Sequence, residues 1–138
     1  MSDGQFFSDD DEISEQYVNW TQDALLRLSE LVELLVACGG RDIGAVDEIY
    51  ELSHNIKGMG SSFGFTLMTE VGASLCDYIK KWKTLNRESV DALTVDAHIK
   101  SFNVILAYRI KGDGGDKGRA VMTRLEQLVG DALKPEQT

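Results

Sequence analysis

His54 and Lys57 stand three residues apart in the stretch SHNIKGMGSSFGF, residues 53–65. Side chains three and four apart share one face of a helix. The pair therefore sets a nitrogen nucleophile beside a cation. A free imidazole titrates near about 6.5 and is mostly unprotonated at pH 7. An ammonium one turn away offsets negative charge that such a ring takes on. Gly58, Gly60 and Gly64 follow closely. Glycine in a helix interior costs roughly 1 kcal/mol relative to alanine. Glycines here need a compensating role, either close packing of another helix or room for another molecule.

The flanks AVDEIYEL and LMTEVGASLCDYI read as helical, so the stretch belongs to a helix that opens near Asp42, an acceptable N-cap. Val46, Ile49, Leu52, Ile56 and Met59 mark its buried stripe, Phe63 lies near its end, and Gly64 terminates it. His54 then aligns with Asp47, Tyr50, Glu51, Lys57, Gly58 and Ser61, and points outward in mid-helix. Gly58 clears an approach on that face. Gly60 turns toward the interior, where it permits close helix–helix packing.

Four more helices are expected. The first runs from about 12 to 38, with Tyr17, Trp20, Ala24, Leu28, Leu31 and Leu35 on one stripe widened by Leu25 and Val32, and Gly39 and Gly40 end it. Thr66 caps the third, whose apolar side is Leu67, Val71, Leu75, Tyr78, Ile79 and Trp82. The fourth spans about 88–111 through Val95, Ile99, Phe102, Leu106 and Ile110. GDGGDKG at 112–118 reads as a flexible loop, and a last helix covers about 119–132 with Val121, Leu125, Leu128 and Val129 inward. No segment alternates with period two. Short connections pack successive helices as antiparallel neighbours. The expected architecture is all-α: an up-and-down antiparallel four-helix bundle with an additional N-terminal helix. Residues 1–11 read as a mobile acidic tail, 12–133 as one bundle domain, and 134–138 as a C-terminal tail.

Composition narrows the function classes. The chain has 138 residues, 43% hydrophobic and 27% charged, enough for one domain with a real core. Its net charge of −9 argues against nucleic acid and against anionic membranes as partners. No apolar run is long enough to span a bilayer and no signal peptide is read, so a cytoplasmic location is expected. The initial Met and short tail are expected to mark a complete product. Cys38 and Cys76, the two cysteines, form no CxxC pair and are expected as free buried thiols, with no structural zinc site.

The segment HNIKGMGSSFG resembles the signature of the histidine-phosphotransfer (HPt) family. That signature is a His, a hydrophobic residue two further on, Lys-Gly, a run of small residues, then a hydrophobic residue and Gly. It is similar to the phosphorylated N-terminal domain of chemotaxis histidine kinases and to stand-alone phosphorelay carriers. The resemblance is tight over the motif and looser over the helical plan of residues 12–133. It implies that His54 takes a phosphoryl group from a receiver-domain aspartyl phosphate, or passes one to it. Lys57 stabilises the phosphate, and Tyr50, Glu51, Gly58 and Ser61 form the docking face. Partners are response-regulator receiver domains and a hybrid or other histidine kinase, met by a monomer.

Phosphoryl transfer needs positioning and charge stabilisation more than covalent chemistry. The charged groups expected near His54 are Lys57, Glu51 and Asp47. The reading therefore assigns no cofactor to this chain and places Mg2+ on the receiver. It makes the protein a shuttle and substrate, not a self-sufficient enzyme. Family members often carry a Gln or Glu on the next helix that hydrogen-bonds the histidine. An ungapped count puts Cys76 there, a weak partner, and leaves the ring's orientation to water, to Asp77, to Lys80 or to nothing. Met59 follows Gly58 where many relatives have a smaller residue.

Other constellations are weaker. His98 sits beside Ile99 and Phe102, lacks a following Lys-Gly, and reads as a boundary residue instead of a second phosphosite. A metal site joining His54, His98 and carboxylates stays open, with no HExxH-like spacing to favour it. DGGD at 113–116 lacks the acid alternation of a calcium loop. A rival from another class is an HPt-like interaction module that binds and inhibits a kinase or receiver without carrying phosphate. Retention of His54, Lys57 and Gly58 argues against it.

Overall fold

A computed structural model describes residues 2–135, with side chains from Glu12 onward. Among the described residues there are five α-helices, one short 3₁₀ turn at Ser61–Phe63 and no strand. The helices are α1 (Ser2–Ala37), α2 (Ile43–Gly60), α3 (Thr66–Leu85), α4 (Ala92–Ala107) and α5 (Gly115–Ala132). The all-helical class expected from the sequence is what the chain adopts.

The stripes form one core. Leu28, Leu35, Ile49, Ile56, Val71, Leu75 and Phe102 are completely buried, and every one of them recurs at helical spacing in its own element. Trp20 is a correction: it is 41% exposed, while Val18 and Thr21 are fully buried. The buried stripe of α1 centres on the Thr21–Leu28 line, so Trp20 falls on its margin, its ring 6.4 Å from that of Tyr17.

Helix ends follow the chemistry of their caps. The Asp42 carboxylate accepts the N–H of Ala45 at 3.0 Å and starts α2. At the far end Gly64 adopts φ 87°, the Phe65 N–H bonds the Gly60 carbonyl at 2.8 Å and the Gly64 N–H bonds that of Ser61 at 3.1 Å. This paired closure needs a left-handed residue, which glycine supplies without steric cost. α1 closes in the same way, with the Gly40 N–H on Leu35 and the Gly39 N–H on Val36.

Several expected boundaries move. α1 begins at Ser2, where a tail over residues 1–11 was expected; no proline interrupts the segment, and its acids sit toward the favourable N-terminal end of the helix. The side chains of Phe6, Phe7 and Asp9 to Asp11 lie outside the described residues, as do Met1 and residues 136–138. α4 is shorter than expected because Asp91 caps its start, taking the Leu93 N–H at 3.2 Å, and Arg109 at φ 49° turns the chain away at its end. Thr66 is the first residue of α3 and not its cap. The start of the 112–118 segment is pinned: the Gly112 N–H donates to Gly64 and its carbonyl accepts from Leu67, at 2.7 and 2.8 Å. α5 already begins at Gly115.

Packing runs α1 on α2, α2 on α3, α3 on α4, and α4 back on α1, while α5 lies against α3 and α4. The helix outside the ring is therefore the C-terminal one, not an N-terminal one. Packed against α3 and α4, α5 buries Leu125 fully and leaves Val121, Leu128 and Val129 half-buried. Arg87 closes its end by donating to the carbonyls of Ala132, Leu133 and Lys134 at 2.7 to 2.9 Å.

Candidate functional site

On α2, Val46, Ile49, Ser53, Ile56 and Gly60 face the interior. Residues offset by about 100° per position therefore turn out, and His54 is exposed in mid-helix. Glu51, Gly58 and Ser61 are exposed on the same face, and Tyr50 and Lys57 are half-buried. A β-carbon built on Gly58 meets nothing within 4 Å. The structure thus brings together the residues that the sequence places around His54, with open space one turn beyond the ring.

α3 approaches this helix through small residues. A β-carbon on Gly72 would stand 2.8 Å from Cβ of Lys57 and 3.2 Å from both its Cα and the Ser53 carbonyl oxygen. The two helices are therefore in close contact where α2 carries its cation. Gly60 serves packing too, since a β-carbon there would lie 2.7 Å from Thr69 Oγ1 and 2.9 Å from the Phe65 carbonyl. Thr69 is tied into the end of α2: its Oγ1 accepts the Ser61 N–H and donates to the Lys57 carbonyl, each at 2.9 Å. In an uninterrupted helix Ser61 N–H and Lys57 carbonyl bond each other directly. A hydroxyl from α3 is inserted between them, and the chain tightens there into the 3₁₀ turn.

Thr69 and Gly72 were not singled out from the sequence. Their signal was available: Thr69, Gly72, Cys76 and Lys80 recur at three and four residues along α3, a stripe of small or polar side chains beside an apolar one.

Cys76 is fully buried, and its Sγ lies 3.9 Å from the carbonyl oxygen of Tyr50, toward which its S–H points. Burial pushes the thiol pKa up, and the nearby Lys57 and Lys80 ammonium groups pull only partly against it. Cys76 therefore serves the backbone four residues before His54, and no hydrogen bond joins it to the ring. Asp77 is exposed over the groove between α3 and α5, beside Ser74, Lys81 and Met122, which separates it from the His54 face. One helical position is a rotation of about 100°, enough to carry a side chain from one neighbour to the next. Lys80 does reach the site. Its Nζ lies 5.9 Å from the centroid of the Tyr50 ring. Tyr50 in turn stacks on His54, with centroids 6.0 Å apart and planes tilted by 15°.

The second histidine is not a boundary residue. His98 is fully buried on α4, with Nδ1 2.8 Å from the Thr94 carbonyl oxygen and Nε2 2.8 Å from Ser74 Oγ. A carbonyl only accepts, so Nδ1 carries the proton and Nε2 accepts from the serine hydroxyl. Burial lowers its pKa, the Thr94 carbonyl opposing that shift only in part. With both nitrogens engaged in the interior, His98 is available neither to phosphate nor to a metal shared with His54. Cys38 is half-buried and Cys76 buried, and both are free. Among the described residues, no group of three or more His, Cys, Asp or Glu side chains is arranged to hold a metal ion, and no helix is long and apolar enough to cross a membrane.

No family model, curated protein or solved structure matches this chain.

Proposed function

We propose that this chain is a histidine phosphotransfer protein that shuttles a phosphoryl group between His54 and receiver-domain aspartates in a multistep two-component phosphorelay. The observation that carries the reading is the exposed His54 in mid-α2, with Lys57 one turn on and empty space over Gly58. An unprotonated ring nitrogen gives its lone pair to phosphorus. The N–P bond forms as the P–O bond to the receiver aspartate breaks, and the aspartate leaves as a free carboxylate. The other ring nitrogen keeps the proton it already held. Running backward, the same steps charge a receiver. Lys57 offsets the added negative charge, and its place in the last turn of α2 also suits the helix dipole.

This reading takes α1 to α4 as an up-and-down antiparallel four-helix bundle. Contact pairs support it: Tyr17 with Ile56 and Arg27 with Glu48 run in opposite directions along α1 and α2, as do Asp47 with Lys83 and Tyr50 with Cys76 along α2 and α3. The receiver supplies Mg2+ and its acidic cluster, the carrier works as a cytoplasmic monomer, and docking buries a modest patch suited to a transient contact. His54→Gln tests the reading, with a phosphorylated receiver as donor. The variant keeps its helicity and takes up no acid-labile phosphate. Undiminished labelling removes His54 from the mechanism, and a wild-type chain that binds the receiver without accepting phosphate is an interaction module instead.

A further inference from the structure

We infer that Tyr50, backed by Lys80, is the residue that orients the His54 imidazole. The inference rests on the phosphocarrier reading and adds to it a positioning residue on the His54 helix itself. Among the described residues the His54 ring makes no hydrogen bond, and Cys76, on the helix packed against α2, turns its thiol to the Tyr50 carbonyl and not to the ring. What touches the ring is an aromatic face. Tyr50 lies one turn before His54, and the two planes are within 15° of parallel at 6.0 Å. A flat contact of this kind limits rotation of the imidazole about its side-chain bonds while leaving its nitrogen-bearing edge open to a partner.

Tyr50 is itself held. It is half-buried, packs against the core, and carries the Lys80 ammonium 5.9 Å from its ring centroid. A cation over an aromatic face is attracted by the ring quadrupole. Lys80 thus leans on Tyr50 from α3, and Cys76 leans on the Tyr50 backbone from the same helix. The arrangement couples the orientation of a surface ring to the α2–α3 contact. It also explains why an unhydrogen-bonded histidine need not spin freely: the Tyr50 face holds the plane of its ring. Attack on phosphorus needs the nitrogen in line with the leaving oxygen, and misalignment of reacting groups is expensive in rate.

The test separates orientation from docking and from the carrier reading. Three variants are made: Tyr50→Leu, Tyr50→Phe and Lys80→Met, each checked for unchanged helicity. Proton NMR reads the His54 ring protons, which the Tyr50 ring current displaces. Phosphoramidate, a small donor that needs no docking, reads the intrinsic rate of phosphorylation at His54. Tyr50→Leu is expected to abolish the displacement and to slow phosphoramidate labelling roughly tenfold, less than the roughly hundredfold that a 1 Å misplacement can cost. Tyr50→Phe restores both, because the stack needs the ring and not the hydroxyl. Lys80→Met gives a partial loss of each. Unchanged ring-proton shifts in Tyr50→Leu overturn the inference. So does a variant labelled normally by phosphoramidate but slowly by a receiver, since Tyr50 then only docks. If wild-type protein takes no phosphate from any receiver, the carrier reading fails, while the ring-proton shifts still decide the stack.

Discussion

Gly58 is where one missing side chain matters most. It lies in the interior of α2 and pays the conformational penalty of glycine, yet nothing stands within 4 Å of where its β-carbon would be. Intramolecular packing therefore gives no reason for a glycine here, in contrast to Gly60 and Gly72. Gly58→Ala is expected to raise the unfolding free energy by about 0.5–1 kcal/mol in chemical denaturation. Gly58→Glu is expected to keep the helix and to lose receiver-dependent labelling of His54, because it adds bulk and negative charge on the docking face. Normal transfer by the glutamate variant contradicts the assignment of this face.

Between helices, the α2–α3 contact governs where the cation sits. Gly72 lets Cβ of Lys57 come into contact distance, and Thr69 bridges the Lys57 carbonyl to the Ser61 N–H on its C-terminal side. In Gly72→Ala the new methyl group meets backbone atoms of α2 as well as a side chain, so the helices must separate. Overpacking of this kind costs about 1–3 kcal/mol. The expected outcome is a lower denaturation midpoint together with slower labelling of His54, since Lys57 moves with the backbone that carries it. An unchanged midpoint shows that the contact yields without cost. Thr69 has a different part: its hydroxyl replaces a direct backbone bond, so it sets the place where α2 stops being α-helical.

For the bundle as a whole, pH dependence follows from what is buried. His98 is neutral in the core and its pKa is depressed there, first by burial. A group that binds its proton less readily when folded contributes stability that is complete above its unfolded pKa, about 6.5 for histidine. That stability is lost as pH falls below this value through the folded pKa. Glu15 and Glu48, whose carboxyls are held below the usual carboxylate range by hydrogen bonds from Arg109 and Arg27, respond only at lower pH and are exposed. The interval from about pH 6.5 down to 5 therefore isolates His98. Urea unfolding is expected to show stability falling across that interval in the wild-type chain and a flatter profile in His98→Gln. Equal slopes in the two proteins exclude His98 as the titrating group.

The helical class, most of the core stripes of α1 to α4, the cap at Asp42, the left-handed turn at Gly64 and the outward direction of His54 could be read from residue order. Each depends on periodicity or capping within one element, and such interactions span only a few residues along the chain. Contacts between elements could not be read in this way. That Thr69 sets the end of α2 and Gly72 the approach to Lys57, that Asp77 faces α5 while Lys80 reaches Tyr50, that His98 is sealed inside against Ser74, and that α5 packs on α3 and α4 all depend on how helices rotate and slide against one another. A rotation of about 100° separates neighbouring positions on a helix, and residues distant in sequence settle that rotation through close packing. Spacing along one helix places a side chain on a face, and the helix packed against it determines what that face meets.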